Sequence, residues 1–205
     1  MNIADRIMYE DREIFVINKP AGVAVESARV TEPDLASLLR AYSGKEVYIV
    51  HRLDQAVSGI VVFARTKRAA SVLSGAFQRG EAEKVYRAKV SGCICRDRDT
   101  LTDWLMKDGR TNTSRVVPGG TKGAKKAVLE YVRTGEQELR IRLMTGRHHQ
   151  IRVQLSHAGM PILGDRKYGG ETCYARGKIA LCAERLTFAH PGTGEKMTFE
   201  TEPDF

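Results

Sequence analysis

The chain has 205 residues, enough for one sizeable core, and its 42% hydrophobic and 28% charged residues argue against a disordered chain. Lysine and arginine outnumber aspartate and glutamate by 33 to 25, and the net charge of +8 favours a polyanionic partner, nucleic acid before an anionic membrane surface. No segment approaches the roughly 20 apolar residues of a membrane span, and the acidic N-terminal segment lacks the apolar region of a secretory signal.

In chain order, the first half of the sequence predicts short strands and two helices. The apolar run 14–17 predicts a strand that ends at the turn 18–22. Residues 33–39 have helical spacing, with a proline at the predicted first position. Residues 60–64 predict a buried strand, followed by a helix over about 67–77 with a glycine beyond its end.

Alternating strands return in the second half. Residues 85–90 and 139–143 each place alternate side chains on opposite faces, whereas the Gly-, Lys- and Thr-rich segment 109–126 between them predicts a mobile, basic loop. Residues 149–158 predict a helix, and the chain ends with strands over 179–188 and 197–199. Strands and a few helices without regular alternation predict an α+β fold with a mixed, largely antiparallel sheet and flanking helices.

The segment His51-Arg52-Leu53-Asp54 precedes the buried strand. If it is extended, Arg52 and Asp54 project to one side while His51 and Leu53 point to the other. A carboxylate beside a guanidinium at the mouth of a strand is either a solvated surface pair or part of a polar site. The pattern by itself favours the surface pair.

The segment 146–152 opens the last predicted helix and carries Arg147, Arg152 and two adjacent histidines. Helix N-terminal N–H groups and these side chains would suit a phosphate or a carboxylate, and the alternative is a polar helix start. Tyr86, in the middle of a predicted strand, is either an ordinary core residue or a ring that stacks on an unpaired base.

Histidine and cysteine do not predict a metal site. The helical zinc pattern needs histidines four residues apart, whereas His148 and His149 are adjacent, and the nearest cysteine pair lacks the CxxC spacing. The cysteines are also too few and too scattered for a disulfide framework, which predicts reduced thiols in a cytoplasmic protein. They are Cys93, Cys95, Cys173 and Cys182.

Several segments, in this order, resemble the RluA family of pseudouridine synthases. They are INKPAGV, HRLDQAVSGIVVFART, KVYRAKV, GRHHQIRVQLSHAGMPILGDRKYGG, and ALCAERLTFAHP with MTFE. Together they extend over roughly residues 14–205. The resemblance implies the pseudouridine synthase catalytic fold, with an active-site cleft across the sheet, as a single catalytic domain over residues 1–205 without the S4-type RNA-binding domain that many relatives carry.

The resemblance also implies a role for each of five residues. Asp54 matches the family's catalytic aspartate, Arg52 the arginine that enters the RNA stack as the target uridine leaves it, and Tyr86 the tyrosine that packs against the uracil. Arg152 matches the arginine that pairs with the aspartate. Leu181 falls where an apolar side chain lines the uracil pocket.

Three positions depart from the commonest family pattern. Val57 stands where threonine is usual, His148 where threonine or serine is usual, and Gln154 where a histidine often follows IRV. None of these changes removes a catalytic group, so we expect them to affect substrate fit.

The sequence therefore predicts an enzyme that isomerises specific uridines of ribosomal or transfer RNA, or both, by base flipping. The reaction involves no redox change and no phosphate transfer, so no cofactor is expected, and Arg152 is expected to keep the Asp54 carboxylate charged and oriented. The expected partner is RNA, with no membrane or metal, and the expected state is a monomer.

Two other functions share some of these features. A non-catalytic basic RNA-binding domain would have the same positive charge, but it would not need an acidic residue beside Arg52. A hydrolytic RNA enzyme would need a metal cluster or a paired acid and base, and neither is evident in the sequence.

Overall fold

The computed structural model describes residues 1–27, 34–170 and 177–205. Within these ranges the chain forms eleven strands and three α-helices, and every strand pair whose register is described runs antiparallel. The predicted α+β fold with a largely antiparallel sheet is therefore confirmed. None of the helices in these ranges has the length and hydropathy that crossing a bilayer requires.

The strands, in chain order, are β1 Ile7–Glu10, β2 Ile14–Lys19, β3 Tyr48–Ile49, β4 Ser58–Ala64, β5 Glu83–Lys89, β6 Arg98–Asp108, β7 Thr113–Val117, β8 Lys125–Arg133, β9 Glu138–Leu143, β10 Leu181–Ala189 and β11 Lys196–Glu200. The helices are α1 Leu35–Ser43, α2 Lys67–Arg79 and α3 Gln150–His157, and a short 3-10 helix spans Ala4–Arg6. By its contacts the chain divides into two compact units, one of residues 1–83 with 183–204 and the other of residues 84–182 with 205.

The first unit is a sheet whose core is completed by a helix. Strands β1, β2, β4 and β10 are successive neighbours, β3 also pairs with β4, and β11 pairs with β10. Every residue of β4 is buried, as the apolar run 60–64 predicts. Ala69 and Leu73 of α2 share a core cluster with Ile60 and Val62 of β4, so α2 packs against alternate residues of this strand.

The helices of this unit begin and end at capping residues. The Thr66 hydroxyl accepts the Ala69 amide at the start of α2, and Gly80 follows its end with a φ of +76°, a left-handed conformation that glycine adopts readily. The Asp34 carboxylate caps α1 by accepting the Ser37 amide at 2.7 Å. The proline predicted at the first helical position, residue 33, lies outside the described residues.

The second unit is a sheet in the order β5, β9, β8, β6 and β7, with α3 against one face. Val153 of α3 packs with Leu105 and Ala127. We call this face of the sheet the inner face. It also carries Tyr86 and Ile141, because Tyr86 pairs with Ile141 and residues directly opposite in a ladder project to the same side.

The prediction of a loop over residues 109–126 is wrong in part. Strand β7 lies inside this segment, and β8 begins at Lys125. Ser114 is buried and Val116 half-buried, whereas Arg115 between them is exposed, so the segment has strand alternation. Its glycines and lysines mask that alternation in the sequence, and pairing with β6 stabilises the strand.

Candidate active site

Asp54 occupies the first position of a tight turn that leads into β4. Its carbonyl accepts a hydrogen bond from the Val57 amide at 3.1 Å, and β4 begins at the next residue, Ser58. The Asp54 side chain is half-buried, Arg52 is exposed and Leu53 is buried. This alternation agrees with the extended conformation expected for the segment.

His51 anchors the same segment to the core. Its Nε2 accepts the backbone N–H of Val62 at 3.2 Å, and its ring stacks on Phe77 with centroids 4.5 Å apart. A ring nitrogen that accepts an N–H carries no proton, so His51 here is a neutral structural residue.

Lys19, the last residue of β2, is fully buried, and its ammonium binds the turn that contains Asp54. Its Nζ donates to the carbonyl oxygens of Val23 at 2.7 Å, Pro20 at 3.1 Å and Gln55 at 3.1 Å. The Gln55 carbonyl also accepts the Gly22 amide at 2.7 Å. The residue after Asp54 is therefore tied to the loop that follows β2.

Burial and the carboxylate of Asp54 shift the pKa of Lys19 in opposite directions. Burial, the larger influence, lowers the lysine pKa to about 7, and the negative charge of Asp54 raises it. The charge of Asp54 thus acts on the buried ammonium at the base of its turn. Lys19 was not among the predicted site residues, although it stands in the segment INKPAGV.

Tyr86 lies in β5 and is 7% exposed. It pairs with Ile141 of β9, which in turn pairs with Tyr131 of β8, so the three side chains form one row on the inner face. Lys84 shares this face of β5, and burial lowers its pKa. The alternation predicted for residues 85–90 and 139–143 therefore matches the strands.

Arg152 is 6% exposed and forms a two-pronged ion pair with Asp165, which is 1% exposed. Its Nε lies 2.7 Å from Oδ2 and its Nη2 lies 2.8 Å from Oδ1. The guanidinium carbon lies 5.1 Å from the centroid of the Tyr168 ring. The carboxylate partner described for Arg152 is thus Asp165, a residue that the sequence did not single out.

The two histidines before α3 join the hairpin of β6 and β7 to the helix. The Tyr168 hydroxyl oxygen accepts the Ser114 amide at 2.8 Å and is hydrogen-bonded to His149 Nδ1 at 2.7 Å. His148 stacks on His149, and its ring nitrogens contact the Ser114 hydroxyl at 2.8 Å and the side-chain Oδ1 of Asn112 at 3.1 Å. Among the described residues, no three His, Cys, Asp or Glu side chains are grouped as a metal ligand set.

The remaining two predicted residues are Arg52 and Leu181. Arg52 lines an open groove of the first unit together with Arg40 and Tyr48. Leu181 is the first residue of β10 and is 3% exposed. A buried apolar side chain at this position agrees with the predicted environment, and its contact with uracil stays a prediction.

The predicted residues fall into two groups. Asp54 and Arg52 belong to the first unit, whereas Tyr86, Arg152 and Leu181 belong to the second. The expected pairing of Arg152 with Asp54 stays a prediction. The additional polar residues, Lys19, Lys84 and Asp165, have one signal in common: each lies within one of the segments that carry the resemblance, INKPAGV, KVYRAKV and GRHHQIRVQLSHAGMPILGDRKYGG respectively.

Comparison with known proteins places the fold and these motifs in one enzyme class. The family described as RNA pseudouridylate synthase matches residues 13–157. The chain belongs to this family, whose members isomerise uridine in RNA to pseudouridine.

Within the family the chain is an RluA-type enzyme. It is 34% identical to the dual-specificity RNA pseudouridine synthase RluA of Escherichia coli K12, over 97% of this chain and 93% of the relative. It is 36% identical to the ribosomal large subunit pseudouridine synthase D of Vibrio cholerae, over 94% of this chain and 65% of that protein. The human RNA pseudouridylate synthase domain containing 1 superposes with a TM-score of 0.81, at 26% identity over 98% of this chain and 84% of that one.

Proposed function

We propose that this pseudouridine synthase modifies specific uridines of ribosomal RNA, transfer RNA or both, and that the carboxylate of Asp54 carries the isomerisation. The observation that supports this role most directly is the placement of Asp54. It is a half-buried carboxylate on a turn whose next carbonyl, that of Gln55, is bound by the buried ammonium of Lys19.

Such a turn holds the carboxylate in a fixed position before substrate binds. The isomerisation breaks the bond between N1 and C1′, rotates the uracil and joins C5 to C1′. A carboxylate that is already oriented loses little conformational entropy when the reaction begins, and pre-organised charges are a main source of catalysis. Pseudouridine is an isomer of uridine, so the reaction has no net redox change.

The other residues receive their proposed roles from the resemblance. Arg52, which is exposed, fills the space that the flipped uridine leaves in the RNA stack. Tyr86 packs on the uracil, and such stacking contributes about 1–3 kcal/mol per base. Arg152 orients Asp54, and Leu181 lines the uracil pocket. The proposal keeps residues 1–205 as one catalytic domain.

The choice of RNA rests on the relatives. One relative is described as dual-specificity and another as acting on the large ribosomal subunit. A cytoplasmic enzyme that acts as a monomer is consistent with such substrates. Among the described residues, Cys93, Cys95 and Cys182 form no disulfide, and Cys173 lies outside the described residues.

Release of tritium from uracil C5 tests the proposal. The protein is incubated with unmodified large-subunit ribosomal RNA and with transfer RNA transcripts, each labelled at C5. We expect release from at least one of them. The Asp54→Asn variant should release less than about one-thousandth as fast while RNA binding is retained, because only the reacting carboxylate is lost.

The matched control is Asp5→Asn, which changes an exposed carboxylate of the same unit. It should release tritium at the rate of the unmodified chain. Near-normal release by Asp54→Asn would exclude the proposed catalytic role. Release from neither the ribosomal nor the transfer RNA would exclude the proposed substrates.

A further inference from the structure

The sheet of the second unit has a second face, opposite the inner face. Neighbouring residues of a strand project to opposite sides, so Arg87 in β5 points away from the side that carries Tyr86. Arg87 pairs with Arg140, Arg140 with Val132, and Val132 with Arg98. These four residues form one row across β5, β9, β8 and β6, which defines the outer face.

The outer face is strongly positive. Its exposed cations are Arg98, Arg115, Lys126, Arg140 and Arg142. Of the carboxylates at strand positions of this face, Asp108 is exposed, whereas Glu130 and Glu138 are half-buried. Glu130 lies 3.5 Å from Arg142, and Glu138 lies 3.8 Å from Arg87.

Like charges lie close together on the outer face. Arg87 and Arg140 stand directly opposite each other in the ladder, a position where like charges are destabilising. Arg98 and Lys126 form no ion pair with any residue of 1–27, 34–170 or 177–205, whereas Arg115 interacts electrostatically with Asp108. This concentration of exposed cations points to an anionic ligand.

An aromatic ring accompanies these charges. Trp104, the only tryptophan of the chain, is 38% exposed and lies directly opposite Lys126 in the ladder. Its indole Nε1 lies 3.1 Å from the position that a Cβ on Gly119 would occupy, so the ring lies over the turn that follows β7. Alternating cations and an exposed ring are the two features that proteins use to hold single-stranded nucleic acid.

We propose that the outer face binds a segment of the substrate RNA away from the target uridine. This inference rests on the proposed function for the identity of the polyanion. The cations contact backbone phosphates, and Trp104 stacks on an unpaired base. The outer face lies on the side of the sheet opposite Tyr86, so only an RNA longer than the immediate target loop reaches it.

Trp104 provides a direct test, because all tryptophan fluorescence of the chain comes from this face. The unmodified protein is titrated with a short stem-loop that contains the target uridine and with the same stem-loop inside a long transcript. The long RNA should quench the emission, whereas the stem-loop should leave it unchanged. Emission that is unaffected by both RNAs at saturating concentration would overturn the proposal.

The second test removes two charges. The double variant Arg98→Gln and Arg140→Gln should raise KM for the long RNA about tenfold and leave kcat within twofold, with KM for the stem-loop unchanged. The slope of log K against log salt for the long RNA should fall by about 0.7–0.9 for each arginine removed. The control Arg68→Gln, together with Arg12→Gln, removes two exposed charges from the first unit and should change neither value.

The outcomes separate this inference from the proposed function. If the unmodified enzyme forms pseudouridine but the double variant has the same KM and salt slope for both RNAs, the outer face does not bind RNA and the proposed function stands. If long RNA quenches Trp104 yet neither ribosomal nor transfer RNA is modified, the proposed substrates are wrong and the binding surface stands. Emission that changes with protein concentration in the absence of RNA would assign the face to self-association and exclude the proposal.

Discussion

Lys19 shows how one buried charge constrains a candidate catalytic turn. Its ammonium loses its hydration on burial and recovers part of that free energy from three carbonyl oxygens. Two of these carbonyls belong to the loop after β2 and the third to Gln55, next to Asp54. The same interactions therefore determine both the cost of the buried charge and the position of the turn.

The lowered pKa of Lys19 makes the stability of the protein depend on pH. The folded protein holds the pKa near 7, whereas an ordinary lysine has 10.5, so between these values the unfolded chain binds more protons than the folded one. The contribution of Lys19 to the free energy of unfolding is therefore least favourable below pH 7 and improves as pH rises through this window.

We expect Lys19 to titrate near neutral pH. In a carbon NMR titration, one lysine Cε resonance should move with a midpoint about three pH units below the others, and Lys19→Arg should remove it. The free energy of unfolding relative to Lys19→Met should rise by about 1–3 kcal/mol between pH 7 and pH 9. Lys45→Met, which changes an exposed lysine, should show no such rise. A midpoint near 10 for every lysine would contradict the prediction.

Arg152 has a structural partner besides its proposed catalytic one. Its pair with Asp165 has two short hydrogen bonds between side chains that are both nearly inaccessible to solvent. A buried pair of this kind contributes little relative to an apolar replacement, but loss of one member leaves the other charge buried. Activity measurements on Arg152 variants must therefore be separated from loss of folding.

A comparison of Arg152→Met with Asp165→Asn makes this separation. We expect either change to lower the free energy of unfolding by about 3–5 kcal/mol, measured by urea denaturation. If Arg152 also orients Asp54, Arg152→Met should reduce kcat by at least about 100-fold more than Asp165→Asn at a temperature where both are folded. Equal losses of kcat would limit Arg152 to its pair with Asp165.

At the scale of the element, the close approach of β4 to β10 depends on the glycine at position 59. Gly59 has a φ of +112°, and a Cβ at this position would lie 2.4–2.7 Å from the backbone O, N and C of Ala183 in the neighbouring strand β10. A backbone atom cannot move aside as a side chain does. The glycine therefore allows β4 and β10 to approach just after the turn of Asp54.

Gly59→Ala should destabilise the fold strongly. Backbone strain and overpacking together predict a loss of about 2–5 kcal/mol in the free energy of unfolding, measured by urea denaturation. The matched control is Gly80→Ala, where φ is +76° but nothing lies within 4 Å of the added Cβ. Its cost should be limited to about 1–2 kcal/mol of backbone strain. Equal effects of the two substitutions would show that the close approach to Ala183 is unimportant.

Some helices and strands could be predicted from the sequence, and others could not. The helix α2 followed from its apolar spacing and from Gly80, and its observed end is Arg79 where the prediction ended at residue 77. Strand β7 did not follow from the sequence, because its five residues lie within a longer segment rich in glycine, lysine and threonine, and the strand pairs with β6. Local patterns predict elements that bury one continuous face, and they fail for strands that depend on a partner.

For the whole molecule, the net charge of +8 correctly favoured nucleic acid but did not locate it. The sheet of the second unit separates charged residues that are close together in the sequence. Arg140 and Arg142 of β9 lie on the outer face, whereas Leu139 and Ile141, which alternate with them, are buried on the inner face. The alternation of residues along a strand predicts the face on which each charged side chain lies, whereas only strand pairing determines which residues lie next to it.

The sequence by itself determined the family, the chemical class of the reaction and the candidate residues Asp54, Arg52, Tyr86, Arg152 and Leu181, because these depend on motifs within short segments. Only the tertiary structure identified Lys19 beneath the Asp54 turn, Asp165 as a partner of Arg152, and Ala183 as the reason for Gly59. These contacts join residues that are 13 to more than 100 positions apart. A local pattern specifies the direction in which a side chain points, but chain folding decides which distant group it meets.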